Sequence, residues 1–292
     1  MAQALKALGT DFDLAFTLLD EDKFNHLFAR DELRRELLQQ ILSAAKLERI
    51  RGIHLDFEIF RLTSEEALAG YRDFMAKLRE RFQRLPKQRR PILSGFFTVG
   101  GERDLMDAKT LSYLDYVVVQ GYDAHWAESR TAGPISPLKG AHQLSWEKTL
   151  KHLLSLEVAR SKILFSVPYF GYEWPVKSGL AGATAIGHGI TTTYAPVDAR
   201  LLPRIRVSVA GRIAQYPIQR DPDSGSPYYT YQTPEGRWYQ GWFEDRISLA
   251  EKFDFINREE LGGIAVFPIG YDAGMFDRLI AEKFGVRQGS GR

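Results

Sequence analysis

The spacing of hydrophobic residues predicts a regular alternation of strands and helices along most of the chain. Short apolar runs predict buried strands, and apolar residues repeated every three or four positions predict helices. Strands that alternate with helices build a parallel sheet covered by helices, so the pattern predicts an α/β fold. The six predicted strands are residues 14–19, 51–60, 92–99, 115–123, 162–169 and 263–269.

The predicted helices fill most of the gaps between these strands. A capping box at Thr63 and Glu66 predicts the start of one helix, whose apolar stripe ends before Pro86. Residues 171–242 break the pattern, because Gly, Pro, Thr and Tyr become frequent and helical periodicity is lost. We therefore predict a small β-rich insertion there. The other predicted helices are residues 1–8, 31–46, 145–156, 248–257 and 276–284.

Composition narrows the class of protein. The chain has 292 residues, 44% of them hydrophobic, and a net charge of +2, so it can bury a full core and lacks the basic excess of a nucleic-acid-binding protein. It has no cysteine, which excludes a disulfide framework, zinc–thiolate sites and a thiol nucleophile. Residues 1–13 lack the apolar core of a signal peptide, and no apolar run is long enough to predict a membrane span.

The predicted strand at residues 51–60 carries the most informative chemistry. His54, Asp56 and Glu58 share one of its faces, because alternate residues of a strand lie on the same side. The Cα atoms of Asp56 and Glu58 would be about 7 Å apart, and two carboxylates this close repel each other unless one is protonated. A carboxylic acid kept neutral in this way can serve as a general acid. A buried ion-pair cluster or a hydrated strand face is the alternative. The opposite face is apolar, with Ile53, Leu55, Phe57 and Ile59.

The stretch that ends at Glu58 resembles the signature of the family 18 glycoside hydrolases, the chitinase-like barrels. That signature reads Asp-x-x-Asp-x-Asp-x-Glu and ends the fourth barrel strand. Glu58 matches the proton donor, and Asp56 matches the carboxylate two residues before it. Arg51 stands where the first aspartate is usual, and His54 stands where Asp or Asn is usual.

Three later stretches resemble further strand ends of this family. The sixth strand usually ends Met-x-Tyr-Asp, and here Gln120 replaces the methionine while Tyr122 and Asp123 match. Residues 166–174 resemble the seventh strand, which ends Pro-x-Tyr-Gly with aromatic residues after it. Residues 262–272 resemble the eighth strand, and Phe267 stands where a tryptophan usually forms the floor of a sugar subsite.

The resemblance implies a TIM-type (β/α)8 barrel that lacks its first two strands, because the strand at residues 51–60 would be the fourth. The predicted barrel domain comprises residues 1–170 and 243–288, the inserted subdomain comprises residues 171–242, and residues 289–292 are a flexible tail. The set of motifs is nearest to the bacterial cell-wall and spore-germination branch of the family. An open barrel edge would favour self-association.

The resemblance also implies a mechanism without a cofactor, in which the substrate's own acetamido group attacks the anomeric carbon and the configuration is retained. Glu58 would be the acid and base, Asp56 would orient the acetamido group, and Tyr122 would bind its oxygen. His54, Gln120 and Asp123 would contact a glycan that contains N-acetylglucosamine, either chitin-like or peptidoglycan, and a secreted or cell-envelope location is expected. Because aromatic rings suit the apolar faces of sugars, the candidate platforms are Trp126, Tyr169, Tyr172, Trp174 and Phe267.

Two other functions are compatible with the same residues. A metal-dependent hydrolase is one, because carboxylates and imidazoles are competent ligands for a divalent ion. A catalytically weak glycan-binding protein is the other, favoured by Arg51, His54, Phe267 and the absent strands. The candidate metal ligands are His54, Asp56, Glu58, Asp123 and His125.

Overall fold

The computed structural model describes residues 11–285, except residues 62, 101–104, 143, 197, 199, 201, 204 and 206. The chain divides into two compact units, the first formed by residues 1–119 and 153–164, and the second by residues 120–152 and 165–292. The helix predicted at residues 1–8 and the tail predicted at residues 289–292 lie outside the described residues. The domain boundaries given above remain a prediction.

The strands of the described residues form two sheets. The first sheet contains all six predicted strands in the neighbour order β1-β2-β3-β4-β5-β11, and the second has the order β7-β6-β10-β9-β8. In chain order, β1 to β11 are Phe12–Leu18, Ile50–Phe57, Ile92–Phe97, Tyr116–Val119, Ile163–Pro168, Phe170–Val176, Ile190–Thr193, Gln219–Arg220, Pro227–Gln232, Trp238–Trp242 and Gly263–Phe267.

The helices lie between these strands, but those at Glu21–Ala29, Ala108–Ser112 and Val209–Ile213 are additional to the helices that the sequence predicts. Short 3-10 turns at Lys87–Arg89 and Arg160–Lys162 lead into β3 and β5. The described helices include none that is long and apolar enough to cross a membrane. In chain order, α1 to α8 are Glu21–Ala29, Asp31–Ala44, Glu65–Gln83, Ala108–Ser112, Trp146–Ser155, Val209–Ile213, Arg246–Arg258 and Asp277–Phe284.

In the first unit, β1 to β4 run parallel to one another. The apolar face of β2 is buried, and the Phe57 ring contacts the rings of Phe24 and Phe28 on α1. Tyr71 of α3 joins the same aromatic cluster. The burial of these rings fixes which face of β2 points away from the helices, and that face carries the ionisable residues.

Helix starts in the first unit are set by short polar side chains. Asp20 caps α1 by accepting a hydrogen bond from the Lys23 amide, and Ser64 caps α3 by accepting one from the Ala67 amide. The capping box predicted at Thr63 and Glu66 is therefore wrong, because Ser64 is the cap residue and Ala67, at the third helical position, has no side-chain acceptor to complete a box.

In the second unit, β6 to β10 form an antiparallel sheet with two buried faces. Trp174, Tyr228 and Trp242 pack on one face, while Tyr229 and Phe243 pack on the other. Buried polar groups on the second face are paired. Glu173 of β6 is 2% exposed and accepts two hydrogen bonds of 2.8 Å from Arg212 and one of 2.7 Å from the Tyr229 hydroxyl.

Candidate active site

The two carboxylates predicted to carry catalysis lie at the carboxyl end of β2 in the first unit. Asp56 pairs with Thr17 in the parallel register of β1 and β2, and the Thr17 hydroxyl donates a hydrogen bond of 3.1 Å to Asp56 Oδ2. The Glu58 amide donates to the Leu18 carbonyl at 3.0 Å, so the pairing with β1 extends to Glu58. Both side chains are half-buried, and each therefore remains accessible to solvent.

His54 lies two residues earlier on the same face of β2. Its Nδ1 is 2.9 Å from the Ser94 hydroxyl of β3, and the residue is half-buried. Burial lowers the pKa of the imidazole, and the nearby carboxylates of Asp56 and Asp13 oppose this shift. The balance favours a neutral imidazole that exchanges a hydrogen bond with Ser94.

Strand β1 holds a further acidic residue, beside the start of β2, that sequence reasoning did not identify. Asp13 of β1 lies beside Gly52, where an added Cβ would be 2.4 Å from the Asp13 carboxylate, so the glycine leaves room for this side chain. Burial raises the pKa of Asp13, while His54 and Arg51 lower it. The alternation of Asp13, Ala15 and Thr17 along β1 is the signal that could have identified this face.

In the second unit, the predicted residues Gln120, Tyr122 and Asp123 follow the end of β4 at Val119. The prediction that they belong to a strand of residues 115–123 is wrong at this end. The Gly121 carbonyl between them accepts hydrogen bonds from the Ser136 hydroxyl and the Trp146 indole. These two donors take the place of a strand partner and fix the segment.

The Tyr122 side chain is 8% exposed and lies against Phe267, the residue that replaces the usual tryptophan. The two rings are nearly parallel, with centroids 5.8 Å apart and an interplanar angle of 18°. Phe170 packs edge-on against both rings at 5.4 Å and 6.2 Å. Phe267 itself is 52% exposed, so one aromatic surface of this cluster faces solvent.

Asp123 has a positive φ of 64°, which turns the chain sharply after Tyr122. Its Oδ1 accepts a hydrogen bond of 3.1 Å from the Tyr172 hydroxyl. Burial raises the pKa of Asp123 to about 6, although hydrogen bonds from Tyr172 and Gln120 lower it. This carboxyl group therefore titrates close to neutral pH.

The aromatic platform candidates divide by exposure. Trp126 is 48% exposed and Tyr172 is half-buried, so both can present part of a ring to a ligand. Trp174 is fully buried and donates from its indole nitrogen to the Trp126 carbonyl at 3.2 Å. Tyr169 is 4% exposed and packs against Phe276. A sugar-stacking role does not fit Trp174 or Tyr169, because packing covers both of their ring faces.

The predicted metal ligands do not form a metal centre in the described part of the chain. No group of three or more His, Asp or Glu side chains there is arranged to hold an ion. His125 is instead half-buried, with its Nδ1 2.8 Å from the Pro134 carbonyl, and burial lowers its pKa. The geometry thus gives no support to a metal-dependent hydrolase.

The first unit is a parallel strand and helix framework in which one strand ends with a solvent-accessible pair of carboxylates, an arrangement that can serve acid–base chemistry. The family model of the glycosyl hydrolases family 18 matches residues 18–272. The chain belongs to this family.

Individual relatives agree with this assignment. The chain is 25% identical over 276 residues to a cortical fragment-lytic enzyme of Bacillus subtilis, with 91% of this chain and 57% of that enzyme covered. It thus spans little more than half the length of that relative. A family 18 chitinase from Cycas revoluta in complex with allosamidin has a TM-score of 0.77 at 16% identity, covering 94% of this chain and 81% of that one. A family 18 N-acetylglucosaminidase from Paenibacillus barengoltzii has a TM-score of 0.74 at 16% identity, covering 94% and 82%.

Proposed function

We propose that this protein hydrolyses β-1,4 linkages in glycans that contain N-acetylglucosamine, by a retaining mechanism assisted by the substrate. The observation that carries the proposal is the accessible pair of Asp56 and Glu58 at the end of β2, with Asp56 oriented by the Thr17 hydroxyl. Two carboxyl groups on one strand face allow one to remain protonated while the other is charged. That division of roles is what glycoside cleavage needs.

In the first step, Glu58 would donate its proton to the oxygen of the leaving sugar. The acetamido oxygen of the retained sugar would attack the anomeric carbon at the same time, so a cyclic intermediate forms and no enzyme nucleophile is required. Glu58, now ionised, would then take a proton from the water that opens this intermediate. The same residue therefore acts as acid and then as base.

Asp56 would accept a hydrogen bond from the acetamido N–H and stabilise the positive charge of the intermediate. The bond that it accepts from Thr17 leaves its second carboxylate oxygen available for this contact. Tyr122 would donate its hydroxyl to the acetamido oxygen, and its contact with the Phe267 ring restricts the movement of the phenol. Gln120 and Asp123 would bind sugar hydroxyls, and His54 would support the carboxylates.

The substrate class is inferred from the relatives as well as from the residues. One relative is a cortical fragment-lytic enzyme, and one structural neighbour is a chitinase bound to allosamidin. Both peptidoglycan and chitin oligomers are therefore candidate substrates. Action on such polymers would place the protein at the cell envelope or outside the cell.

The test is direct incubation with chitin oligomers and with purified peptidoglycan, followed by measurement of new reducing ends. We expect the unaltered protein to release reducing ends. Glu58→Gln should lose about 10²–10⁴-fold of this activity, the contribution that is typical of a general acid and base. The variant should bind oligosaccharide as tightly as the unaltered protein. Binding without cleavage by the unaltered protein would instead show a glycan-binding protein.

A further inference from the structure

Basic residues surround two adjoining cavities at the amino-terminal end of the strands in the first unit. One cavity, of about 730 Å³, lies between the carboxyl ends of α2 and α3. The other, of about 490 Å³, lies at the starts of β2 and β3. The two share Ala45, Ile50 and Arg89 and so form one continuous depression, which we call the basic groove.

The groove is lined by cations from three separate segments of the chain. The first cavity contributes Lys46, Arg81, Arg84 and Arg89. The second cavity contributes Arg49, Arg51, Lys87 and Arg90.

These charges are only partly neutralised, and Arg51 lies close enough to the Asp13 carboxylate to lower its pKa. Among the described residues that line the groove, the one carboxylate is Asp11, which lies 3.8 Å from Arg49. Arg84 pairs with Glu80 on the exposed side of α3. The groove therefore keeps a strong excess of positive charge, although the whole chain has a net charge of only +2.

The floor of the groove is apolar, whereas its rim is charged. Leu42, Ile50 and Leu85 line the floor, and the side chains of Arg81, Lys87 and Arg89 are exposed on the rim. A floor of this kind suits the carbon skeleton of an organic polymer, and guanidinium groups bind carboxylates through paired hydrogen bonds. Cations from several segments along the groove match a chain of anionic groups better than a single small anion.

We propose that the basic groove binds the carboxylate-bearing peptides of peptidoglycan and anchors the protein on that polymer. The inference rests on the proposed function, and it selects peptidoglycan over chitin, because chitin is uncharged and gains nothing from a cationic surface. Peptidoglycan carries carboxylates on every peptide, so successive groups can pair with successive arginines.

The position of the groove fits an anchor and not a sugar subsite. Strand β2 begins in the groove at Ile50 and ends at Phe57, next to Glu58. At ~3.3 Å per residue this is a distance of about 23 Å along the strand. One polymer held at two places raises the effective concentration of its glycosidic bonds near Glu58.

The experiment measures co-sedimentation with insoluble peptidoglycan in a Glu58→Gln background, so that hydrolysis does not remove the polymer. Reversal of two rim charges, Arg81→Glu with Arg89→Glu, should weaken binding about tenfold or more at low salt. The reason is that each attraction between a rim arginine and a peptidoglycan carboxylate is replaced by repulsion between two carboxylates. The matched control reverses two exposed lysines outside the groove, Lys151→Glu with Lys177→Glu, and should bind as the background does. Equal thermal unfolding midpoints confirm that both variants are folded.

Two further binding measurements use the Glu58→Gln protein with Arg81 and Arg89 unaltered. Binding should fall steeply between about 50 and 200 mM salt and should be lost when the peptidoglycan carboxylates are converted to amides. A third assay measures activity and not binding. The variant Arg81→Glu with Arg89→Glu, with Glu58 intact, should cleave a short neutral chitin oligomer at the same rate as the unaltered protein. This last assay reports on the proposed function alone, so its failure is distinguishable from failure of the anchor.

Binding that resists amidation, or that the rim variant retains in full, would overturn the inference. Tighter binding of a short single-stranded oligonucleotide or of anionic phospholipid vesicles than of peptidoglycan would overturn it as well, in favour of a nucleic-acid or membrane surface.

Discussion

At the scale of single residues, the surroundings of His54 and Arg51 explain how this chain accommodates its two departures from the family signature. His54 exchanges a hydrogen bond with Ser94, so an imidazole fills the place of the usual carboxylate or amide without leaving a buried charge. Arg51 is exposed at the start of β2 and lines the basic groove. The sequence could predict Asp56 and Glu58 from their spacing on one strand and their match to the family signature. It could not identify Thr17 and Ser94, because their importance comes from neighbouring strands in the sheet.

Asp123 leads to a prediction about pH. Its pKa of about 6 lies above the ordinary value of 3.8, mainly because the carboxyl group is buried. The proton is therefore held more tightly in the folded protein, and the resulting stabilisation is complete below about pH 3.8 and is lost as pH rises through about 6. If the ionised form binds the sugar, kcat/KM should rise with pH through an inflection near 6.

Tyr172→Phe tests this assignment. The Tyr172 hydroxyl stabilises the ionised carboxylate, so its removal should raise the Asp123 pKa and move the inflection to higher pH. Asp123→Asn should abolish the inflection. A pH profile of kcat/KM for the three proteins makes the comparison, and an inflection that persists in Asp123→Asn would assign it to another group.

At the scale of elements, hydrophobic periodicity predicted strands better than it predicted their ends or the short helices. All six strands of the first sheet are confirmed, but β4 ends at Val119, and the Gly121 carbonyl two residues later accepts hydrogen bonds from the side chains of Ser136 and Trp146. Helix α1 was not predicted, although Phe24 and Phe28 are fully buried, because its large apolar residues Phe24, Leu27 and Phe28 span little more than one turn and are too few to show a helical period.

The start of α3 gives a test with an internal control. Ser64→Ala should reduce the free energy of unfolding by about 1 kcal/mol, because the Ala67 amide loses its acceptor. Thr63→Ala should change it by less than about 0.5 kcal/mol, because Thr63 lies outside the cap. Urea unfolding of both variants measures the difference. A larger loss of stability in Thr63→Ala than in Ser64→Ala would show that Thr63 is the cap residue, as the sequence predicts.

At the scale of the whole molecule, the sequence could predict the α/β class and the order of the strands but not which distant side chains meet. The cations of the basic groove lie between Lys46 and Arg90, and they look like ordinary surface residues when the sequence is read in order. The buried pair of Glu244 and Lys252 is a second example. These residues lie 8 positions apart, and both are at most 2% exposed. Nothing in composition or periodicity separates them from solvated charges.

That pair supports the segment that carries Tyr122, and its removal should be costly. Lys252 donates to Glu244 at 2.6 Å and its ammonium lies 5.8 Å from the Trp146 ring, whose indole nitrogen holds the Gly121 carbonyl. Lys252→Met leaves Glu244 buried without its cation, and we expect a loss of about 3–5 kcal/mol in the free energy of unfolding.

The double variant Lys252→Met with Glu244→Gln removes the stranded charge, so it should recover a large part of that loss in urea unfolding. Burial raises the pKa of Glu244 and Lys252 lowers it, so the single variant should also regain stability as pH falls and the carboxyl group takes up a proton. Equal losses in the single and double variants, with no dependence on pH, would mean that the lysine acts through its packing against Trp146 and not through its charge. Urea unfolding of Lys252→Met at neutral and at acid pH separates the two explanations, because only the loss of charge predicts lower stability at neutral pH.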